Sequence, residues 1–98
     1  MTSTVALLAT LAEPTRLSAL CLLWDGGEHC VCELMAKLGV SQSRMSRHMS
    51  ALKAAGLVAD RRDAQWVRYR LRADLDPRDR AIVSAVMAAV SQHLEKAA

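Results

Sequence analysis

The sequence predicts a mainly α-helical domain carrying one small β-hairpin, in the order α-α-α-α-β-β-α. Three observations lead there. Apolar residues recur at helical spacing, as in Leu17, Leu20, Cys21 and Trp24 at i, i+3, i+4 and i+7. The period changes once, in "WVRYRLR", where Val67, Tyr69 and Leu71 alternate with Arg68, Arg70 and Arg72. The helical stretches are interrupted by glycine, at Gly26-Gly27, Gly39 and Gly56.

The first helical segment, residues 3–11, is short and apolar, with Val5 and Leu8 as candidate contact residues. A second helix opens at "AEPTR", where Pro14 fits a first turn and Glu13 is an acid suitably placed beside it. "DGGE" stops it. A third runs from Val31 to Leu38 and ends at Gly39. Ser41 is a good N-cap for a fourth, Gln42 to Ala55, with Met45, Met49 and Leu52 as its apolar stripe. Two short helices joined by a tight glycine-containing turn, residues 31–55, form a helix-turn-helix.

The hairpin, residues 57–72, pairs "LVADRR" with "WVRYRLR" across a "DAQ" turn and has a cationic outer face, so it reads as a wing. A long helix, 77–96, begins at Asp76-Pro77, with Asp76 as cap. Its stripe of Ile82, Val86 and Val90 beside Val83, Met87 and Leu94 is wider than one small wing needs to cover. The predicted fold is a winged helix-turn-helix in a single domain, residues 1–98. Only three residues are aromatic, so its core is built from Leu, Val, Ala and Met.

No apolar run approaches membrane-spanning length, and the N-terminus lacks the basic region of a secretory signal. Three cysteines, an odd number spaced unlike a disulfide framework, point to a cytoplasmic protein with reduced thiols. The net charge is +3, but the segment from Ser41 to Arg72 holds eight Arg or Lys against two acids. A chain polarised in this way suits a polyanion on one face.

Projecting the fourth helix at about 100° per residue sets Met45, Met49 and Leu52 on one side. Ser43, Arg47 and Ser50 lie opposite, flanked by Gln42, Arg44 and Ser46. Short hydroxyls and an amide bond base edges or phosphates, and arginine pairs bidentately with guanine. With Arg62, Arg68 and Arg70 on the wing, these nine residues form the candidate DNA interface. His48, at the edge of the apolar stripe, fits packing or bridging better than base reading.

The segments "EPTRLSALCLL", "CVCEL", "LGVSQSRMSRHMSALKAAGLV" and "RRDAQWVRYRL" resemble the ArsR/SmtB family of winged-helix repressors, over roughly residues 11–71. The resemblance implies a homodimer paired through the first and last helices, with Val5, Leu8, Ile82, Val86, Val90 and Leu94 at the interface. It also implies double-stranded operator DNA with inverted-repeat half-sites as partner, and no membrane. The family often has glycine at the wing tip; this chain has Asp63-Ala64, and alanine disfavours a positive φ.

In the arsenic-responsive branch, a Cys-Val-Cys motif at the helix before the recognition helix binds arsenite or antimonite. Here it is Cys30-Val31-Cys32, so the resemblance implies As(III) or Sb(III) as inducer, with no organic cofactor. Soft thiolates suit such ions. A regular helix sets i and i+2 about 200° apart, so either Cys30 precedes the first turn or binding unwinds it. The family's usual third cysteine falls at Met35. Cys21 is the remaining candidate, with a buried small hydrophobe as its competing reading.

Zinc or cadmium wants about four ligands, and Cys30, Cys32 and His29 offer too few. The zinc-responsive branch uses Asp, His, His and Glu on the last helix; Asp79, His93 and Glu95 leave that set incomplete. Persulfide-sensing relatives carry a cysteine in the last helix, where this chain has none.

The function expected is therefore a repressor of a metalloid-resistance operon, released from its operator when the inducer binds. The competing readings switch the same repressor by thiol oxidation or by a soft divalent metal. A Cys-x-Cys disulfide closes a very small ring, which weighs against the oxidative one. A dithiol metal carrier without DNA binding is more remote, and no Cys-x-x-Cys or general-base constellation indicates an enzyme.

Overall fold

The computed structural model describes the backbone of residues 3–97 and the side chains of residues 3–90. The helices are α1 (Thr4–Leu11), α2 (Pro14–Leu23), α3 (Val31–Leu38), α4 (Gln42–Ala54) and α5 (Pro77–Ala97). Strands β1 (His29–Cys30), β2 (Val58–Asp63) and β3 (Trp66–Leu71) form an antiparallel sheet in the order β1-β3-β2. The winged helix-turn-helix expected from periodicity is the fold observed, with one correction. The two-residue strand β1 adds a third member to the hairpin. A segment that short carries no alternation, so no periodicity marks it.

Local chemistry explains the boundaries. Ser3 caps α1 by accepting the Ala6 N–H at 3.1 Å, and Glu13 caps α2 by accepting the Arg16 N–H at 2.9 Å. Gly39 takes φ +65 after α3, and its N–H donates to the Met35 carbonyl at 2.9 Å. Ser41 then starts α4, so the turn of the helix-turn-helix needs only residues 39–41. Asp76 accepts the Arg78 N–H at 2.8 Å at the start of α5.

One continuous core joins the helices to the sheet. Met45, Met49 and Leu52 are fully buried, as the α4 stripe requires. The stripe of α2 is corrected: Ala19, Leu20 and Leu23 are fully buried, whereas Leu17, Cys21 and Trp24 pack at the margin. Because α2 touches α1, α3, α4, α5 and β3, it is covered from several sides and not along one stripe. Val83 and Met87 anchor α5 in this core, while Ile82 and Val86 pack against its edge.

The α1 helix divides its apolar residues: Leu7 and Leu11 are buried, whereas Val5 and Leu8 are 76% and 47% exposed. Val90 is half-buried on α5. Leu94, His93 and Glu95 lie outside the residues whose side chains are described.

At the wing tip, Asp63 pairs with Trp66, leaving a two-residue loop of Ala64 and Gln65. Ala64 adopts φ +57 despite its Cβ. A two-residue hairpin turn matching the strand twist needs a positive φ at its first position, and here the turn geometry overrides the preference of alanine.

Candidate nucleic-acid interface and thiol site

The candidate recognition surface begins with the register of α4. Burial of Met45, Met49 and Leu52 turns Gln42, Ser43, Arg44, Arg47 and Ser50 outward, all exposed, with Ser46 half-buried beside them. The cap Ser41 accepts the Arg44 N–H at 3.4 Å and has the Ser43 hydroxyl 3.5 Å away. This leaves a helix start with short polar side chains and two arginines free of acidic partners among the described residues. Backbone N–H groups at such a start favour anions.

His48 has the bridging role expected of it. Its Nδ1 accepts from Arg16 Nε at 3.3 Å and lies 3.6 Å from Glu13. Arg16 Nη1 also donates to the Thr10 carbonyl at 3.2 Å. One side chain of α2 thus ties the end of α1 to α4.

The wing is less uniformly cationic than its sequence suggests. Pairing of Arg61 with Arg68, and of Arg62 with Val67, sets Arg61, Arg68 and Arg70 on one face and Arg62 on the other. Arg68 Nε donates to Asp63 at 2.8 Å, and Arg61 grips Glu28 bidentately at 2.7 and 2.8 Å. Arg72 does the same with Asp74, at 2.9 Å twice. The Arg61 hydrogen bonds hold the Glu28 carboxyl below the usual range, with Arg68 and Arg70 adding to it. Of the three wing arginines expected at DNA, Arg62 and Arg70 have no acidic partner among the described residues, while Arg68 has one.

The Cys30-Val31-Cys32 segment sits where β1 becomes α3. Cys30 is the N-cap of α3, with extended backbone at φ −66 and ψ 145, and its Sγ accepts the Cys32 N–H at 3.2 Å. This resolves the spacing problem. The 200° separation applies only when both residues are helical, and the extended cap swings the Cys30 sulfur over the first turn, toward Cys32. The two sulfurs are joined in a disulfide, with Cα atoms 5.1 Å apart, so the small ring closes without loss of the helix. Cys30 is buried in the core and Cys32 is exposed.

Cys21 does not join them. Its Sγ meets the Met87 sulfur at 3.7 Å between α2 and α5, and burial pushes its thiol pKa up. Among the described residues, no three His, Cys, Asp or Glu side chains converge as a metal site. In this arrangement Cys21 packs on α2's inward margin against Met87, the alternative its apolar spacing also allowed.

His29 bears on the segment in a way sequence reasoning missed. Its Nδ1 lies 2.5 Å from Glu33 and its Nε2 2.9 Å from Asp25, and Lys37 lies 3.5 Å from Glu33. The Glu33 hydrogen bond raises the His29 pKa most, burial opposes it, and Asp25 adds to the rise. The spacing of four from Asp25 through His29 and Glu33 to Lys37 was the available signal.

A helix-turn-helix with a polar, cationic second helix and an arginine-bearing hairpin defines a winged-helix DNA-binding transcriptional regulator. Residues 13–60 match the family model "Bacterial regulatory protein, arsR family", and the chain belongs to that family of regulators, which are not enzymes. It is 41% identical over 85 residues to the arsenic resistance transcriptional regulator ArsR2 of Pseudomonas putida, covering 87% of this chain and 74% of that one. It is 45% identical over 67 residues to the arsenical resistance operon repressor of Escherichia coli, covering 68% of this chain and 57% of the relative.

Among solved structures, HlyU from Vibrio cholerae superposes with a TM-score of 0.73 at 36% identity, over 87% of this chain and 88% of that one. The solution structure of the homodimeric domain Mb0332 from Mycobacterium bovis gives 0.67 at 27% identity, over 94% and 78%.

Proposed function

We propose that the chain is a homodimeric repressor of a metalloid-resistance operon, released from operator DNA when As(III) or Sb(III) binds the reduced thiolates of Cys30 and Cys32. The observation that carries this reading is the extended N-cap at Cys30, which brings two sulfurs together at the entrance to the helix-turn-helix. The arsenic-resistance names of relatives above 40% identity support it.

The exchange balances simply. Arsenous acid takes two thiol sulfurs, and each thiol proton leaves with an arsenic hydroxyl as water. With Cys21 facing Met87, the ion has two protein sulfurs and retains one oxygen ligand. Cys30 is paired with Arg68 across β1 and β3, and Val31 and Leu34 pack α3 into the core. A ligand that re-spaces the sulfurs is thereby coupled to the wing through one ladder and to α4 through α3. Typical couplings of about 1–3 kcal/mol change occupancy five- to a hundredfold.

Gln42, Ser43, Arg44, Ser46, Arg47 and Ser50 would enter the major groove, and the wing would reach the flanking backbone with Arg68 and Arg70 on one face and Arg62 on the other. Inverted-repeat half-sites follow from two-fold pairing through Val5 and Leu8 of α1 and Ile82, Val86, Val90 and Leu94 of α5. The exposure of Val5 and Leu8, and the homodimeric Mb0332 domain, support that pairing. Such a repressor acts in the cytoplasm, where the thiols are kept reduced.

Arsenic X-ray absorption on the reduced protein tests the site: two sulfurs and one oxygen are expected, unchanged by Cys21→Ser. Three sulfurs in the wild type, falling to two in that variant, would return Cys21 to the site.

The disulfide favours one second reading, in which oxidation switches the same repressor. Hydrogen peroxide would take the two thiol hydrogens and leave as two waters. Duplex release by peroxide, without any release by arsenite under reducing conditions, would select this reading over the first.

A further inference from the structure

A cleft of about 330 Å³ opens beside α4, lined by Arg16, Arg44, Arg47 and His48. Among the described residues no acid lines it; Glu13, whose carboxylate lies 3.6 Å from His48, is engaged with the Arg16 N–H at the start of α2. Arg44 and Arg47 belong to the recognition helix, whereas Arg16 comes from α2. We propose that this cleft seats a backbone phosphate of duplex DNA, and that Arg16 and His48 are positioning residues of the DNA interface. The proposal rests on the DNA-binding reading of α4.

The hydrogen-bond inventory gives the reason. Arg16 uses its Nε hydrogen on His48 and one Nη1 hydrogen on the Thr10 carbonyl. A guanidinium carries five donors, so among the described residues the whole Nη2 group and the second Nη1 hydrogen are left for an anion. Two fixed donors also hold the guanidinium plane still, removing much of the rotamer freedom a surface arginine loses on binding. Because Arg16 donates to His48 Nδ1, the neutral ring carries its hydrogen on Nε2, which is then a further donor.

Arg44 and Arg47 supply the remaining positive charge from α4. A phosphodiester is the matching ligand: a planar fork against two acceptor oxygens, with no base-specific requirement. It would fix how deeply α4 enters the groove, because the same Arg16 is tied to α1 and α4.

Binding of the reduced protein to a random-sequence duplex, measured by fluorescence anisotropy across salt concentrations, tests this. Arg16→Gln is expected to flatten the slope of log K against log salt by about 0.9, the value for one phosphate contact on B-DNA. Arg16→Lys is expected to recover most of that slope. An unchanged slope in Arg16→Gln, with wild-type circular dichroism, overturns the proposal.

Should Arg16→Gln fail to fold, the wild type supplies the readout. The Arg16 Nε–H resonance is expected to shift on saturation with the same duplex, and its constancy refutes the contact. A competing arm with inorganic phosphate separates the sources. Displacement of DNA no stronger than that of sulfate at equal ionic strength is expected for a site shaped by the duplex, whereas selective displacement by phosphate assigns the cleft to free phosphate instead. Absence of any duplex binding by the wild type at low salt sinks the DNA-binding reading itself; binding with an unaffected slope sinks only the Arg16 contact.

Discussion

Replacing either cysteine by serine is expected to separate the proposed inducer response from folding, and the local geometry says why. Cys30 caps α3 through a sulfur that accepts the Cys32 N–H. Serine is among the preferred capping residues, and loss of a cap costs about 0.5–2 kcal/mol. Cys30→Ser therefore keeps an acceptor where Cys30→Ala loses one.

Against this stands burial. Cys30 is 7% exposed, and a hydroxyl placed there is tolerated because the Cys32 N–H partners it. The two effects oppose each other, leaving Cys30→Ser within about 1 kcal/mol of the wild type. Cys32→Ser, at an exposed position, stays within about 0.5 kcal/mol. Urea unfolding of the reduced proteins measures both. Anisotropy of an operator duplex, titrated with arsenite, then reads the switch: both variants are expected to bind DNA like the wild type and to lose arsenite-driven release. Normal release in both would refute the site; a large stability loss in Cys30→Ser would refute the capping argument.

Other substitutions probe the wing and the third cysteine. Ala64→Gly relieves a positive φ that costs a non-glycine residue about 1–2 kcal/mol, while added unfolded-chain freedom returns about 0.4–1 kcal/mol, so urea unfolding should show a small net stabilisation; destabilisation would contradict the turn described. Glu28→Gln releases Arg61 from its bidentate partner and should steepen the salt dependence of duplex binding, by up to about 0.9 in slope. A flatter slope would show that Glu28 organises the wing more than it neutralises it. In the reduced protein, iodoacetamide at pH 8 should modify exposed Cys32 well before Cys21, whose thiol burial keeps protonated, as peptide mass spectrometry would show. Faster labelling of Cys21 would contradict its packing against Met87.

Much of the fold is legible in the sequence because long-period signals survive without tertiary context. The α4 stripe, the caps at Ser41 and Asp76, and the alternation through Val67, Tyr69 and Leu71 all hold in the structure. What escapes depends on neighbours. The register of β2 decides that Arg61, and not Arg62, shares a face with Arg68 and Arg70, and no single-strand pattern carries that information. Ion pairing of Arg68 and Arg61 is likewise invisible to a count of charges. The cysteines are legible in part: of the two alternatives the spacing leaves open, the structure takes the one in which Cys30 precedes the first turn of α3 as its extended cap. Arg16 sits outside the recognition helix, so only the packing of α2 against α4 brings it to that surface.

The two-sided arrangement of α1 bears on gene dosage. Leu7 and Leu11 close the core within one copy, whereas Val5 and Leu8 stay exposed, so the proposed homodimer would draw on α1 surface that the core does not use. In the proposed homodimer, pairing is an equilibrium governed by abundance. When the chain is scarce, the concentration of paired copies rises with the square of the total, and so does operator occupancy. A repressor that binds its operator as the proposed dimer would fall silent steeply on dilution, as in a growing cell that has stopped making it.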